Sequence, residues 1–407
     1  MTNNTLDVFV NQKLAGSLSL EDHKYIFNYD DEAKDLVSLT MPLRAESWKS
    51  RELHPIFQMN MPEGALREAI KERFSKIEKM DDMGFLRIIG PYVLGRVKFE
   101  TVKSSKSALS LSELLSSPKE HLFDELMDKF ALRSGVSGVQ PKLLLSTENK
   151  TTMKFEHYIV KSWDKEYKEL ALNEYFCMRA IMHTGLEVPE FHMSDNRSLF
   201  IMKRFDVKDD ESYLGFEDMC VLTGRGTDAK YAGSYEEIAR VIKDVISPKY
   251  RKEALTALFT ALVMNHFLRN GDGHLKNYGV LYEDDYTDAK LAPIYDVITT
   301  TIYIKNDIPA LRLSDGKLWW KEKSYKNFAK LSCGLSNKEY DEVLEKCKKA
   351  IEVTKREIDR FQVPDVADFL EELRNSWVDS FSKINLKKVS NQSHLQITKN
   401  NPQFKLN

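Results

Sequence analysis

The stretch FLRNGDGHLKNYGVLY, residues 267–282, follows a long apolar segment and sets Asp272, His274, Lys276 and Asn277 within six positions. As a turn it needs no further purpose, because Asn-Gly and Asp-Gly pairs reverse the chain for steric reasons alone. The spacing carries more. Asp272 precedes Asn277 by five residues, and a second acid, Asp296 in LAPIYDVITT, follows after a short strand-like segment. Phosphoryl transfer needs those parts: an aspartate that accepts the hydrogen bond of an attacking hydroxyl, and an asparagine and a second aspartate that hold the magnesium ions bridging nucleotide phosphates.

The same chemistry needs a glycine-bearing loop over the phosphates, a strand lysine to contact them and a helix glutamate to hold that lysine. RSGVSGVQPK supplies the first: Gly135 and Gly138, with Val136 and Ser137 between them, let backbone N–H groups approach anionic oxygens. HYIVKSW ends an apolar strand pattern on Lys161, and LALNEYFCMRAI presents Glu174 on the next helix. Each has a plainer reading alone: a hairpin glycine, a solvated edge lysine, a surface helix charge. Their joint occurrence in the required order is the evidence. His274 has no second His or Cys at metal-ligand spacing, so it is not read as a metal ligand. GRGTDA at 224–229 lacks the strand–helix–strand setting of a dinucleotide fingerprint, and no G-K-[ST] phosphate loop is present.

The elements that must position these residues divide the chain in two. LDVFVNQKLAGSLSL and KYIFNYD alternate as a hairpin or small sheet, GALREAIKERFSKIEKM has helical spacing, GRVKFE reads as strand, and QPKLLLSTENKTTMKFEHYIVKSW predicts a hairpin turning at Glu148–Lys150. After about residue 207, EEIARVIKDVI, KEALTALFTALVMNHFLR, YDEVLEKCKKAIEVTKREIDRF and VADFLEELRNSWVDSF are helical segments. The helix expected over Lys252–Arg269 is apolar nearly all round, at Leu255, Leu258, Phe259, Leu262, Val263, Phe267 and Leu268, so a buried, rigid element delivers Asp272. Residues 380–407 hold five lysines and no acid and read as a basic, mobile tail.

With 407 residues, 42% hydrophobic and 30% charged, the chain can build two ordinary domains. Sixty Lys plus Arg against 62 Asp plus Glu leaves a formal charge of −2, without the basic excess that drives non-specific binding to nucleic acid. Cys177, Cys220, Cys333 and Cys347 form no C-x-x-C pair, so reduced thiols are expected. No leader-like segment opens the sequence and the longest apolar run falls short of a membrane span, so a cytoplasmic protein without membrane contact is expected.

SGVSGVQPK, IVKSW, NEYFC, MKRFDV, FEDMC, NGDGHLKN and LAPIYDV, in that order over roughly residues 5–375, resemble the HipA kinases, toxins of bacterial toxin–antitoxin pairs. The resemblance implies an α+β, two-lobed atypical protein-kinase-like fold: an N-lobe over 1–206 whose N-terminal subdomain covers about 1–105, a helical C-lobe over 207–380 and a tail from 381 to 407. It implies an ATP- and magnesium-dependent serine/threonine kinase, with Asp272 as catalytic base, Asn277 and Asp296 as metal holders, and Lys161 on the nucleotide phosphates. Lys203 and Phe205 would flank the adenine, through backbone and ring respectively. His274 and Lys276 would support loop geometry or phosphate charge.

The resemblance further implies inhibitory autophosphorylation of the glycine-bearing loop. Gly135 stands where relatives often carry a serine, so Ser137 and Ser134 are the candidate sites. A small HipB-like antitoxin would carry the DNA contacts, in keeping with the near-neutral charge. The substrate class implied is aminoacyl-tRNA synthetases, glutamyl-tRNA synthetase first, with arrest of translation and growth. Two other classes stay open at the level of sequence: a nucleotide-binding co-regulator that transfers no phosphate, and a kinase for a small molecule or a different protein.

Overall fold

The computed structural model describes residues 5–99 except 64–66, 69, 73–74, 76–78 and 91–92, the single residue 115, the backbone of 142–149, residues 154–162, and 167–381 except 211, 284–285 and 315. The chain opens with an antiparallel meander, β1 (Thr5–Val10), β2 (Lys13–Glu21) and β3 (Lys24–Tyr29), extended by β4 (Trp48–Ser50). Leu6, Val8 and Val10 alternate inward along β1 and are fully buried, the period-2 pattern of a strand with one face on a core. Two helices follow, α1 (Pro55–Gln58) and α2 (Asp82–Ile89), the latter capped by Asp81, whose Oδ1 accepts from Gly84 N at 3.1 Å. β5 (Val97–Phe99) returns beside β1 to complete the sheet order β4-β3-β2-β1-β5. Within the helix expected at 64–80, residues 67–68 and 70–72 are helical, and 64–66, 69, 73–74 and 76–78 lie outside the described residues.

β6 (Lys142–Asn149) and β7 (Lys154–Ser162) pair antiparallel, with Asn149 opposite Lys154. This register keeps Glu148 and Asn149 in the strand rather than in the turn expected at 148–150, and Lys150 lies outside the described residues. Next come α3 (Leu170–His183), β8 (Phe191–Met193) and β9 (Leu199–Lys203), giving a four-stranded sheet ordered β6-β7-β9-β8 with α3 packed on it.

The C-lobe begins with β10 (Gly215–Asp218), α4 (Met219–Leu222), α5 (Tyr235–Val245) and α6 (Pro248–Phe267). Beyond the turn at residues 268–277 lie β11 (Gly279–Tyr282) and β12 (Lys290–Leu291), which join β10 in a three-stranded sheet. The closing elements are α7 (Glu322–Asn327), α8 (Asn337–Arg360) and α9 (Ala367–Ser376). The helix expected over 252–269 starts a turn earlier, because Pro248 suits the first helical position, and ends at Phe267. Arg269 takes a left-handed φ of 58°, which ends the helix and turns the chain into residues 270–277. The last helix stops at Ser376 instead of continuing to Phe381, as Trp377 goes extended and sends its indole N–H to Thr299 Oγ1 at 2.7 Å.

One apolar core spans α3, α5, α6 and α8, and a second fills the N-terminal subdomain and reaches Phe216, Leu281 and Ala292 of the C-lobe. Phe381 stacks on Tyr325 with ring centroids 4.2 Å apart, while the basic tail beyond it lies outside the described residues. No helix among the described residues is long and apolar enough to cross a membrane.

Candidate active site

The α6 core residues Leu258, Phe259, Leu262, Val263 and Phe267 are all within 1% of full burial, which fixes the helix that leads into residues 268–277. Tight approach then explains the glycines. A Cβ at Gly271 would meet an Asp307 carboxylate oxygen at 1.9 Å, and one at Gly273 would meet Asn265 Nδ2 at 2.7 Å. Thr300 staples the turn from the other side, its hydroxyl donating to Arg269 O at 3.1 Å and accepting from Gly271 N at 2.8 Å. Asp272 is held by its own amide, which donates to Asn270 Oδ1 at 3.0 Å.

Lys161, on β7, is buried and donates to Glu174 Oε1 at 2.5 Å and to Asp296 Oδ1. Three residues expected from sequence to work together, on a strand, a helix and a loop, thus meet at one ammonium. Burial alone would strip its proton; the two carboxylates overcome that and raise its pKa, so the cation is kept. Asn173, next to Glu174, binds the segment after Asp296 in both directions, accepting from Thr299 N and donating to Thr299 O, each at 2.9 Å. Asp296 has φ 62°, a conformation rare for aspartate that this packing imposes at the site itself. Asn277 Nδ2 donates to Asp296 Oδ2 at 3.1 Å, and Asn277 Oδ1 accepts from His274 N at 2.8 Å.

The charges here are left poorly compensated. Burial first, then the neighbouring Asp296, pushes Asp272 up to about 8. Burial and Lys230 lower His274 to about 3, so its imidazole is neutral, and its Nδ1 has no hydrogen-bond partner among the described residues. Lys276 is bonded at 2.8 Å to Glu63 Oε1, and Lys230 reaches Glu63 Oε2 at the same distance. Lys203 closes β9, its N–H on Glu190 O at 2.8 Å, and the Phe205 ring stacks on Tyr295 at 5.2 Å and 27°. Ser134, Gly135, Val136, Ser137 and Gly138 lie outside the described residues.

The donor set fits a hard divalent cation in its chemistry: carboxylate and carboxamide oxygens on two side chains bonded to each other at 3.1 Å. Asn277 would turn its oxygen from His274 N–H toward the ion. A separate cavity of about 470 Å³ between α6, α8 and β12 takes Ala292 and Ile294 into its wall but none of the candidate residues. Two contributors were not found from sequence, Tyr231, whose hydroxyl donates to Asp272 Oδ1 at 2.9 Å, and Glu63. Neither sits in a motif, and no local pattern marks a tyrosine 41 residues or a glutamate 213 residues from its partner.

A family model described as the HipA-like C-terminal domain matches residues 134–354, and one described as the HipA N-terminal domain matches residues 6–100. Two proteins of Sinorhizobium fredii (strain NBRC 101917 / NGR234) that carry provisional kinase names are similar along most of their length. Y4dM is 27% identical over 334 residues, 74% of this chain and 78% of that protein. Y4mE is 26% identical over 341 residues, 74% of this chain and 79% of that protein. Among solved structures, a chain from the Shewanella oneidensis MR-1 complex of HipA, HipB and operator DNA superimposes with a TM-score of 0.67 at 18% identity, covering 91% of this chain and 95% of that one. At that identity the likeness is one of fold, and it is the two-lobed α+β fold expected from the motifs.

Proposed function

Because the chain belongs to the HipA family, its C-terminal-domain model spanning residues 134–354, we propose that it is an ATP- and magnesium-dependent serine/threonine protein kinase acting as a growth-arresting toxin. The observation that carries the reading is the convergence of Lys161, Glu174, Asp296 and Asn277, with Asp272 on the same rigid turn. Magnesium, when bound, neutralises charge on the transferring phosphoryl group. Asp296 and Asn277 would hold that ion, and Lys161, kept charged by its two carboxylates, would be the cation for the nucleotide. Asp272 would accept the hydrogen bond of the acceptor hydroxyl and, in its ionised form, take its proton. Neutral His274 would shape the turn through its backbone rather than carry a proton.

The solved Shewanella oneidensis neighbour comes from a complex with HipB and operator DNA. That assembly, and the net charge of −2 here, support a HipB-like antitoxin partner through which any DNA contact would be made. An aminoacyl-tRNA synthetase, glutamyl-tRNA synthetase first, is the proposed substrate, and Ser137 or Ser134 the proposed inhibitory autophosphorylation site. The test is to incubate the full chain with γ-labelled ATP, magnesium and a bacterial lysate and to map new phosphosites by mass spectrometry. A phosphoserine or phosphothreonine on a synthetase is the expected result. Label on small molecules only, or nucleotide binding with no transfer, would overturn it.

A further inference from the structure

Asp272 receives one side-chain hydrogen bond among the described residues, from the Tyr231 hydroxyl to Oδ1 at 2.9 Å. That tyrosine belongs to the segment between α4 and α5, which is bonded to the catalytic turn in several ways. The N–H of Leu275 donates to Lys230 O at 3.1 Å. The Tyr231 ring stands edge-on to His274, centroids 5.2 Å apart at 73°. Lys317 Nζ holds Tyr231 O at 2.8 Å. Glu63 then ties the two pieces together, one oxygen on Lys230 and the other on Lys276, each at 2.8 Å. Glu63 comes from the N-terminal subdomain, so a group of the N-lobe braces the C-lobe turn that carries the base.

We propose that Tyr231 is a positioning residue for Asp272, fixing the torsion of its carboxylate through Oδ1 so that Oδ2 serves the acceptor hydroxyl, and that Glu63 holds the Tyr231 segment and the catalytic turn in register. The inference rests on the kinase reading above. The physical reason is orientation: a carboxylate free to rotate spends little time aligned with the acceptor, and one charge-assisted bond is enough to remove that freedom. It also satisfies one lone pair of a half-buried acid without supplying a positive charge that would weaken the base.

The test compares full-length wild type, Tyr231→Phe, Glu63→Gln and the double variant in steady-state transfer from labelled ATP–magnesium to lysate protein, with ATP affinity and melting temperature measured alongside. Tyr231→Phe keeps the ring against His274 and loses only the hydroxyl. Its kcat is expected to fall about 10–100-fold, the equivalent of one hydrogen bond to a charged group, with KM for ATP unchanged. Glu63→Gln should lose less, and the double variant should be no slower than Tyr231→Phe, because both act on one carboxylate. An active wild type with Tyr231→Phe at the same kcat would overturn the inference alone. So would losses in the two single variants that multiply, or a fall in kcat matched by a fall in ATP affinity. A wild type that transfers no phosphate would overturn the kinase reading first and this inference with it.

Discussion

Two aspartates, the fully buried Asp206 and the half-buried Asp272, separate what holds this molecule together from what it does. Asp206 lies where the N-terminal subdomain meets the end of β9. Arg204 grips it with Nε at 2.8 Å and Nη2 at 2.5 Å, and Gly95 N adds a third bond at 2.7 Å. Burial alone would raise its pKa, but the guanidinium overcomes this and holds it below the usual carboxylate range. Asp272 has one hydroxyl for company and is pushed up to about 8. A charge whose valences are met inside the protein is architecture; one with a single side-chain hydrogen bond among the described residues is a candidate for chemistry.

The strongest way to break that contrast is to remove the satisfied pair. Arg204→Ala leaves Asp206 buried with one backbone donor and should cost about 3–5 kcal/mol in denaturant unfolding, whereas an isosteric apolar replacement of both residues should be near neutral. If Arg204→Ala unfolds like wild type, the junction is not held by that pair.

Asp272 should behave in the opposite sense. Its folded pKa lies above its ordinary 3.8, so the fold favours the protonated form, and stability from this group falls as pH rises from about 4 to about 8. Asp272→Asn, neutral throughout, should therefore melt higher than wild type at pH 8–9, with the difference closing near pH 4. Equal melting curves across that range would contradict the assigned strain.

Glu63 gives a smaller effect of the reverse sign. Burial raises it, but Lys276 and Lys230 overcome this and bring it down to about 2, so its contribution is complete above about 4.5 and is lost as pH falls toward 2. Glu63→Gln should flatten that acid limb in a thermal-melt series. The smallest expected effect is Asp81→Ala, which removes the α2 cap: about 1 kcal/mol of stability in chemical denaturation, with phosphoryl transfer untouched.

What could be read from the sequence was what is local. The interval from Asp272 to Asn277 lies within one turn, and the apolar face of α6 repeats at helical spacing, so neither depends on the rest of the fold. Lys161 and Glu174, 13 residues apart, were legible as a strand lysine and the helix glutamate that holds it, but the bond of Lys161 to Asp296, 135 residues on, was not expected, Asp296 having been assigned to the metal alone. Helix ends were misjudged where tertiary contacts decide them. Arg269 suits a helix by propensity, yet the turn needs it left-handed, and Trp377 leaves α9 because a buried threonine takes its N–H. Tyr231 and Glu63 left no trace in the sequence for the same reason: their bonds are made by folding.

The most direct measurement pairs binding with transfer in one variant. Wild type and Asp272→Asn are titrated with ATP–magnesium by calorimetry and then assayed for label transfer from γ-labelled ATP to lysate protein under the same conditions. The structure predicts closely similar affinities, because Lys161, Asn277 and Asp296 are unchanged, and loss of transfer in the variant by at least about 100-fold. Transfer by Asp272→Asn at the wild-type rate would contradict the assignment of Asp272 as the base.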